Sequence, residues 1–290
     1  MPANNPSILK CLPLRSARRR VRTVTPALLR PAAFFDLDKT IIAKSSTLAF
    51  SRPFYQGGLI NRRSVLRSGY AQFVYLAGGA DHEQIERMRR YLSEQATGWH
   101  VQTVKDIVAE TLHHIVDPLV YDEAVSLIEQ HHAAGRDVVI VSTSGAEVVE
   151  PIGAMLGADR VIATVMVQDK GRYTGAIEFY AYGVNKATAI QELAEEEGYD
   201  LALSYAYSDS VTDVPMLELV GHPHAVNPDK TLRKAAVERG WPVLDFGKPV
   251  ELRKRVPFEN RRSTLAAVAL GAGVAAAGVV VATSRRSRRA

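Results

Sequence analysis

AAFFDLDKTII, residues 32–42, is the stretch that decides the fold, because an apolar run stops abruptly at Asp36 and a second acid, Asp38, follows two positions later. Side chains at positions i and i+2 of an extended chain point to the same side. The two carboxylates therefore lie together where a buried strand ends. Like charges placed so closely indicate a chemical role, which the rest of the sequence must explain.

Similar strand-like runs recur after this first one. They span residues 136–144, 160–168, 201–210, 222–228 and 241–247. The longer runs are apolar without alternation, which is typical of strands covered on both faces of a parallel sheet. Segments with a helical period lie between them at 144–157 and 185–198, and each ends at a glycine. The sequence therefore predicts an α/β fold with a doubly wound, mainly parallel sheet.

A long helical insertion is predicted directly after the two acids. About 80 residues separate the first strand from the helical segment 121–135 that leads into the second strand, and helical patterns cover 61–77, 81–96 and 101–116. Ligands of open α/β sheets bind beyond the carboxyl ends of the strands. The insertion therefore arises at the mouth of the expected site, where it is placed to act as a lid.

These patterns divide the chain into four regions. A basic tail, predicted to be disordered, covers residues 1–30. The catalytic core consists of 31–47 and 118–250, and the helical cap inserted into it covers 48–117. Residues 251–290 form a basic linker followed by an apolar segment at about 264–283.

The net charge of +5 is distributed unevenly. Residues 1–31 and residues 251–290 each carry a net charge of +7, and subtracting both leaves the central 219 residues at −9. The chain is thus an acidic globule with two basic ends, so its pI near 9.3 does not indicate a nucleic-acid-binding fold, and no nucleic-acid partner is expected. The single cysteine, Cys11, excludes an intrachain disulfide.

The C-terminal apolar segment has the length of a membrane span. Residues 265–282 contain only Ala, Val, Leu and Gly, and as a helix they would extend about 27 Å. We expect a single membrane anchor with the catalytic domain in the cytoplasm, since the N-terminal tail has no signal-peptide core. An Ala-rich helix packed on the protein or on a partner is the alternative. Basic residues flank both sides, so charge does not orient the segment.

Further acids follow the fourth strand-like run, in YSDSVTD at residues 207–213. If the first and fourth strands are neighbours, Asp36, Asp38 and Asp209 converge at one edge of the sheet. Clustered carboxylates repel one another unless a cation is present, and oxygen-only ligands favour Mg²⁺. The hydroxyl-rich turn 142–144 and Lys186, at the start of a helix, add groups that hold phosphate. Singly, each group has a simpler interpretation, such as a capping acid or a solvated lysine.

In order and placement, these motifs resemble those of haloacid dehalogenase-like (HAD) superfamily phosphatases, in the branch that contains phosphoserine phosphatases. The four signatures of the family occur in their usual order: DLDKT at 36–40, VVIVSTS at 138–144, Lys186, and YSDSVTD at 207–213. The resemblance covers roughly residues 31–250. It implies a HAD-like core with a helical cap after the first strand, and a Mg²⁺-dependent phosphomonoesterase.

The resemblance also implies a role for each matched residue. Asp36 is the nucleophile and a Mg²⁺ ligand. Asp38 is the general acid and base, with its backbone carbonyl on the metal. Asp209 completes the metal site.

The remaining matched residues hold the phosphate or support the site. Ser142, Thr143 and Lys186 would bind the phosphoryl group. Thr40 and Asp213 would support the loop and the metal site.

One position departs from the family pattern. Phosphoserine phosphatases commonly carry a Glu about nine residues after the nucleophile, where this chain has Ser45 in AKSST. The expected substrate is therefore a small or lipid-related phosphomonoester rather than phosphoserine. The resemblance implies that the reaction passes through a phospho-aspartyl intermediate. Two alternatives stay open: a phosphotransferase that passes the phosphoryl group from this intermediate to an acceptor other than water, and a membrane-tethered regulatory or scaffold protein with little catalysis.

Overall fold

The computed structural model describes residues 29–60, 90 and 93–247. The chain divides into two units, Met1–Val250 and Glu251–Ala290, and every described residue belongs to the first. Residues 1–28 of the basic tail and the apolar C-terminal segment lie outside the described residues, so their predicted roles stay predictions. Arg30, the last residue of the predicted tail, is described, and its Nη1 lies 2.7 Å from Oδ1 of Asp137.

One sheet runs through this part of the chain. Its seven strands are β1 (Ala32–Asp36), β2 (Asp137–Gly145), β3 (Arg160–Asp169), β4 (Arg172–Phe179), β5 (Tyr205–Ser208), β6 (His222–Val226) and β7 (Val243–Leu244). The strand order is β4-β3-β2-β1-β5-β6-β7. All neighbours are parallel except β3 and β4. The doubly wound, mainly parallel sheet is confirmed, and so is the adjacency of the first and fourth predicted strands, which are β1 and β5.

Eight α-helices are described from end to end, and residues 90 and 93–95 are helical as well. They are α1 (Ser46–Ala49), α2 (Ser51–Gln56), α3 (Val101–Val116), α4 (Asp122–Ala133), α5 (Ala146–Leu156), α6 (Val184–Glu197), α7 (Val214–Leu217) and α8 (Lys230–Arg239). Short 3₁₀ turns cover Asp117–Leu119, Leu201–Leu203 and Val211–Asp213. Helix α3 has the predicted bounds. Helices α5 and α6 end before Gly157 and Gly198, which adopt the left-handed conformation that closes a helix.

The core sits on both faces of β1 and β2. All five residues of β1 and the run 138–141 of β2 are buried. On one face, Phe34 and Val139 belong to a cluster that includes Ile190 and Leu193 of α6. On the other face, Phe35 stacks on Tyr207 and meets the ring of His131 from α4. This two-sided burial explains why these strands are uniformly apolar.

Strand β4 was not predicted. Residues 172–179 pair antiparallel with β3 at the edge of the sheet, after a turn in which Lys170 and Gly171 both have positive φ. The even-numbered residues of β4 are exposed, as in an edge strand with one solvated face. Four predicted strands were too long. The first, predicted over residues 32–38, ends at Asp36. The 201–210 run begins with a 3₁₀ turn, the 222–228 run ends at Val226, and only Val243–Leu244 of 241–247 is a strand.

Residues 98–101, which lie within the predicted cap, are attached to the β3–β4 hairpin. The N–H of Gly98 donates to the carbonyl of Tyr173 (2.8 Å), and the N–H of Tyr173 donates to the carbonyl of Trp99 (3.1 Å). The N–H of Val101 donates to the carbonyl of Gly171 (3.0 Å). Main-chain hydrogen bonds therefore join the segment before α3 to the edge of the sheet. The predicted helix 61–77, and most of 81–96, lie outside the described residues.

Within residues 29–60, 90 and 93–247, no helix has both the length and the apolar character needed to cross a membrane.

Candidate active site

The first acid marks the end of β1, and the chain turns sharply after it. Asp36 is buried, with 6% of its surface exposed. Lys39 adopts a left-handed conformation (φ 63°) that is uncommon for a residue with a side chain. The N–H of Ile41 then donates back to the carbonyl of Leu37 (3.0 Å). This tight loop keeps Asp38 beside the carboxyl edge of the sheet.

Lys186 lies at the centre of the site. Its Nζ is 2.7 Å from Oδ1 of Asp36 and 2.8 Å from Oδ2 of Asp213, and only 2% of the lysine is exposed. Ser208, the last residue of β5, donates to the same Oδ2 of Asp213 (2.7 Å). The expected alternative, a solvated lysine at a helix start, is therefore wrong.

The charge on Lys186 is stabilised by its partners. Burial lowers the pKa of a lysine, but the carboxylates of Asp213 and Asp36 outweigh that effect and raise the pKa of Lys186 above its ordinary value. The ammonium group is thus cationic at neutral pH. A phosphoryl group placed beside Asp36 would meet this fixed positive charge.

The acids at the edge crowd one another. Burial raises the pKa of Asp36 well above its usual range; Lys186 opposes the shift, and the nearby acids add to it. Burial likewise raises the pKa of Asp209 to about 7, although the Lys39 ammonium at 4.0 Å lowers it. The site therefore holds more buried negative charge than its lysines compensate.

The donor set fits a magnesium ion. Asp36 and Asp209 would supply carboxylates and Asp38 a main-chain carbonyl, all of them oxygen donors of the kind that Mg²⁺ prefers. Among the described residues there is no group of three or more His, Cys, Asp or Glu side chains arranged to hold a metal. A Mg²⁺ site here would thus combine two carboxylates with carbonyl, water and substrate oxygens, as is common for this ion.

The predicted phosphate-binding hydroxyls occupy different environments. Ser142 is fully buried, and its Oγ accepts the N–H of Ser144 (3.2 Å). Thr143 donates its hydroxyl hydrogen to the carbonyl of Ala181 (2.9 Å), in the loop before α6. A hydrogen bond donated by the Thr143 hydroxyl to phosphate would require that bond to break. The Thr40 hydroxyl is buried without a hydrogen-bond partner in the described ranges, so its supporting role stays a prediction.

The sequence did not predict how the Asp38 carboxylate is held. Its Oδ1 accepts the main-chain N–H of Ser46 (2.6 Å), and its Oδ2 accepts the hydroxyl of Ser144 (2.9 Å). Ser46 and Ser144 are both buried and hydrogen-bonded to each other. The available signal was chemical: SST at 45–47 follows the acids closely, and Ser144 lies two positions after Ser142 on the same strand.

Known proteins resemble this chain over most of its length. A family model described as haloacid dehalogenase-like hydrolase matches residues 33–218. The inhibition of morphological differentiation protein of Streptomyces azureus is 67% identical over 90% of this chain and 95% of its own length. A probable phosphatase of Mycobacterium tuberculosis is 56% identical over 91% of this chain and 93% of its own length.

A solved structure shares the fold. It is a phosphoserine phosphatase carrying an analogue of its phospho-aspartyl intermediate, with a TM-score of 0.55. The alignment covers 79% of this chain and 100% of that one, at 16% identity. At this identity the likeness concerns the fold alone.

Proposed function

Because the chain belongs to the haloacid dehalogenase-like hydrolase family and is one of its phosphatases, we propose that it hydrolyses a phosphomonoester through a phospho-aspartyl intermediate on Asp36. The observation that carries this proposal is the contact of the buried Lys186 with both Asp36 and Asp213. It places a fixed cation beside an acid that ends the central strand, with Asp38 two residues further on.

In the first step, a carboxylate oxygen of Asp36 attacks phosphorus and the bond from phosphorus to the ester oxygen breaks. Asp38, protonated beforehand, gives its proton to the departing alkoxide. Lys186 stabilises the negative charge on the phosphoryl oxygens, and the Ser142 hydroxyl donates to one of them. The products of this step are an alcohol and an acyl phosphate on Asp36.

In the second step, water attacks the phosphorus of the acyl phosphate and Asp38 accepts a proton from that water. The bond between phosphorus and the Asp36 oxygen breaks, so inorganic phosphate leaves and the carboxylate is restored. Asp213 keeps Lys186 in place through both steps, since it holds the same ammonium group as Asp36.

Phosphatases of this family are generally Mg²⁺-dependent. Asp36, Asp209 and the main-chain carbonyl of Asp38 would hold the ion, and the excess of buried carboxylates at this edge supports that assignment. A bound Mg²⁺ would supply positive charge that neutralises phosphoryl oxygens and reduces the repulsion between the neighbouring carboxylates.

The substrate is proposed to be a small or lipid-related phosphomonoester. Ser45 stands where phosphoserine phosphatases commonly have a Glu for the substrate amine, so a positively charged amine has no carboxylate at this position. The apolar segment 265–282 favours a substrate presented at a membrane, with the segment as a single C-terminal anchor. This part of the proposal predicts faster turnover of lysophosphatidic acid in vesicles than of phosphoserine; equal or slower turnover would remove it.

The test is phosphate release by the full-length protein from a panel of phosphomonoesters, with Mg²⁺, with EDTA, and with Asp36→Asn. Metal-dependent release that is lost in Asp36→Asn is expected. Product analysis with added alcohols separates hydrolysis from phosphotransfer. A folded, Mg²⁺-loaded protein that releases no phosphate from any substrate, in solution or in vesicles, would favour the scaffold alternative.

A further inference from the structure

The carboxylate of Asp38 is fixed at both oxygens. Oδ1 accepts the Ser46 main-chain N–H at 2.6 Å and Oδ2 accepts the Ser144 hydroxyl at 2.9 Å. Hydrogen bonds to a carboxylate are shorter and stronger than those between neutral groups. Two such bonds to two different oxygens set both the position and the rotation of the carboxylate.

The hydroxyl groups near Asp38 form a series of hydrogen bonds, each of which donates towards Asp38. Ser144 has a single hydroxyl hydrogen, and Asp38 accepts it. The Oγ of Ser144 therefore acts as an acceptor in its two other contacts, from the hydroxyls of Ser46 (2.8 Å) and Thr47 (3.2 Å). Hydrogen bonds that run in one direction polarise one another and strengthen the last bond of the chain.

These hydrogen bonds join two segments that are distant in the sequence. Ser144 lies near the carboxyl end of β2, whereas Ser46 and Thr47 begin α1. Ser46 is fully buried and Ser144 is 8% exposed, so water does not compete freely for the bond between them. Asp38 is consequently held by the end of β2 and by the start of α1 together.

We infer that Ser144, supported by Ser46, is a positioning residue for Asp38, orienting the carboxyl group for proton transfer to the leaving group. This inference rests on the proposed function. A general acid acts only within hydrogen-bond reach of the atom it protonates. Ser144 does not contact the reacting atoms in this role, because it acts through Asp38.

The inference predicts a dependence on the leaving group. Phenyl phosphate and 4-nitrophenyl phosphate have similar shapes, but phenolate is the poorer leaving group and depends more on protonation. In full-length protein with Mg²⁺, we expect Ser144→Ala to lower kcat/KM at least about tenfold on phenyl phosphate and less than about threefold on 4-nitrophenyl phosphate. Ser144→Thr, which keeps the hydroxyl, should restore most of the loss.

Two further variants separate positioning from stability. Ser204→Ala removes a fully buried hydroxyl at the start of β5 that bonds the main chain of Ala32 and Asp200, far along the strands from Asp38. This variant should lower the melting temperature, and any change in kcat/KM should be the same for both esters. Ser46→Ala leaves both donors to Asp38 in place. Its loss of kcat/KM should therefore be smaller than that of Ser144→Ala, but again larger on phenyl phosphate than on 4-nitrophenyl phosphate.

Equal losses on the two esters, or unchanged kinetics in a folded Ser144→Ala protein, would overturn the inference. If Ser144→Ala does not fold, the comparison of Ser46→Ala with the wild type decides, since only positioning predicts its leaving-group dependence. A wild-type protein that hydrolyses neither ester would overturn the proposed function, and the inference with it. If the wild type hydrolyses the esters and Asp36→Asn does not, the proposed function stands, and the Ser144 variants then test the positioning inference separately.

Discussion

Lys186 and Asp36, 150 residues apart in the chain, lie 2.7 Å apart between Nζ and Oδ1, almost wholly buried. The same ammonium group reaches Asp213 at 2.8 Å. One lysine therefore compensates two buried carboxylates from different strand ends. The geometry of the nucleophile, the charge of the site and the stability of the core all depend on this side chain.

Lys186→Met should reduce both activity and stability. Removing the cation leaves Asp36 and Asp213 buried without it, which costs about 3–5 kcal/mol for a broken buried pair. We expect phosphate release to fall at least about 100-fold, and the free energy of unfolding to fall in denaturant titrations. Lys234→Met is the matched control, because the Lys234 side chain is 78% exposed on α8 and forms an ion pair with the exposed Glu238 at 3.8 Å. Similar effects in both variants would contradict this account.

Ser208→Ala should destabilise the protein by about 1–3 kcal/mol, since it removes a buried hydrogen bond to the carboxylate of Asp213. Chemical denaturation measures the change. Thr188→Ala on α6 is the comparison, because that hydroxyl donates to the carbonyl of Val184 at an exposed position. If Ser208→Ala is as stable as Thr188→Ala, the Ser208 bond contributes nothing to the folded state.

Asp209→Asn should weaken Mg²⁺ binding about tenfold or more, since a neutral amide replaces a charged oxygen ligand. Calorimetric titration of the full-length protein with Mg²⁺ alone gives the affinity without depending on turnover. Asp169→Asn, at the exposed end of β3, should bind Mg²⁺ like the wild type. Unchanged affinity in Asp209→Asn would exclude Asp209 as a ligand.

The protein should lose stability on acidification through His131. Burial, with help from the nearby Arg136 charge, lowers the pKa of His131 from its ordinary 6.5 to about 4. Its Nδ1 accepts from Arg136 (2.7 Å), so its Nε2 donates to the Tyr207 hydroxyl (2.9 Å) and the ring is held neutral. The unfolded chain takes up this proton first as the pH falls. The contribution, up to about 3 kcal/mol, is therefore present above pH 6.5 and is lost towards pH 4.

The measurement is the free energy of unfolding between pH 7 and pH 4 for the wild type and His131→Gln. The variant should be less stable at pH 7 but should lose less stability on acidification. His114→Gln, at an exposed position on α3, should follow the wild-type curve. Parallel curves for the wild type and His131→Gln would show that another group governs the acid sensitivity.

Gly221→Ala should destabilise the protein by about 1–3 kcal/mol, because the added Cβ would collide with the main-chain carbonyl oxygen of Ala202. That carbonyl belongs to the 3₁₀ turn before β5, and the main chain cannot yield as a flexible side chain does. Thermal unfolding measures the effect. Gly247→Ala is the control, since an added Cβ there meets nothing within 4 Å. Equal melting temperatures would mean that the turn shifts at little cost.

The sequence predicted the central part of the site because its signals were local. Asp36 and Asp38 end an uninterrupted apolar run, and parallel strands bring their carboxyl ends to one edge. The burial of Lys186 had no local signal, since it follows from contacts with residues 150 and 27 positions away. The same holds for Ser144, whose partner Asp38 is 106 positions distant.

Strand β4 was missed for a different reason. The residues of β4 alternate between exposed and less exposed positions, and they directly follow the 160–168 run, which resembles one complete buried strand. A helical crossover was expected after that run. The Lys170–Gly171 turn reverses the chain within two residues and adds an antiparallel edge strand instead. An edge strand needs only one apolar face, so its apolar content is too low to stand out.

The 150-residue separation between Asp36 and Lys186 also affects biosynthesis. The ribosome delivers the N-terminal end of a chain first, so Asp36 emerges well before its counter-ion, and Asp213 later still. Strand β1 gains its second neighbour, β5, only after residues 205–208 have been made. Contacts this distant in the chain form slowly. Until residue 186 has been made, the chain therefore lacks the lysine that Asp36 contacts in the folded protein.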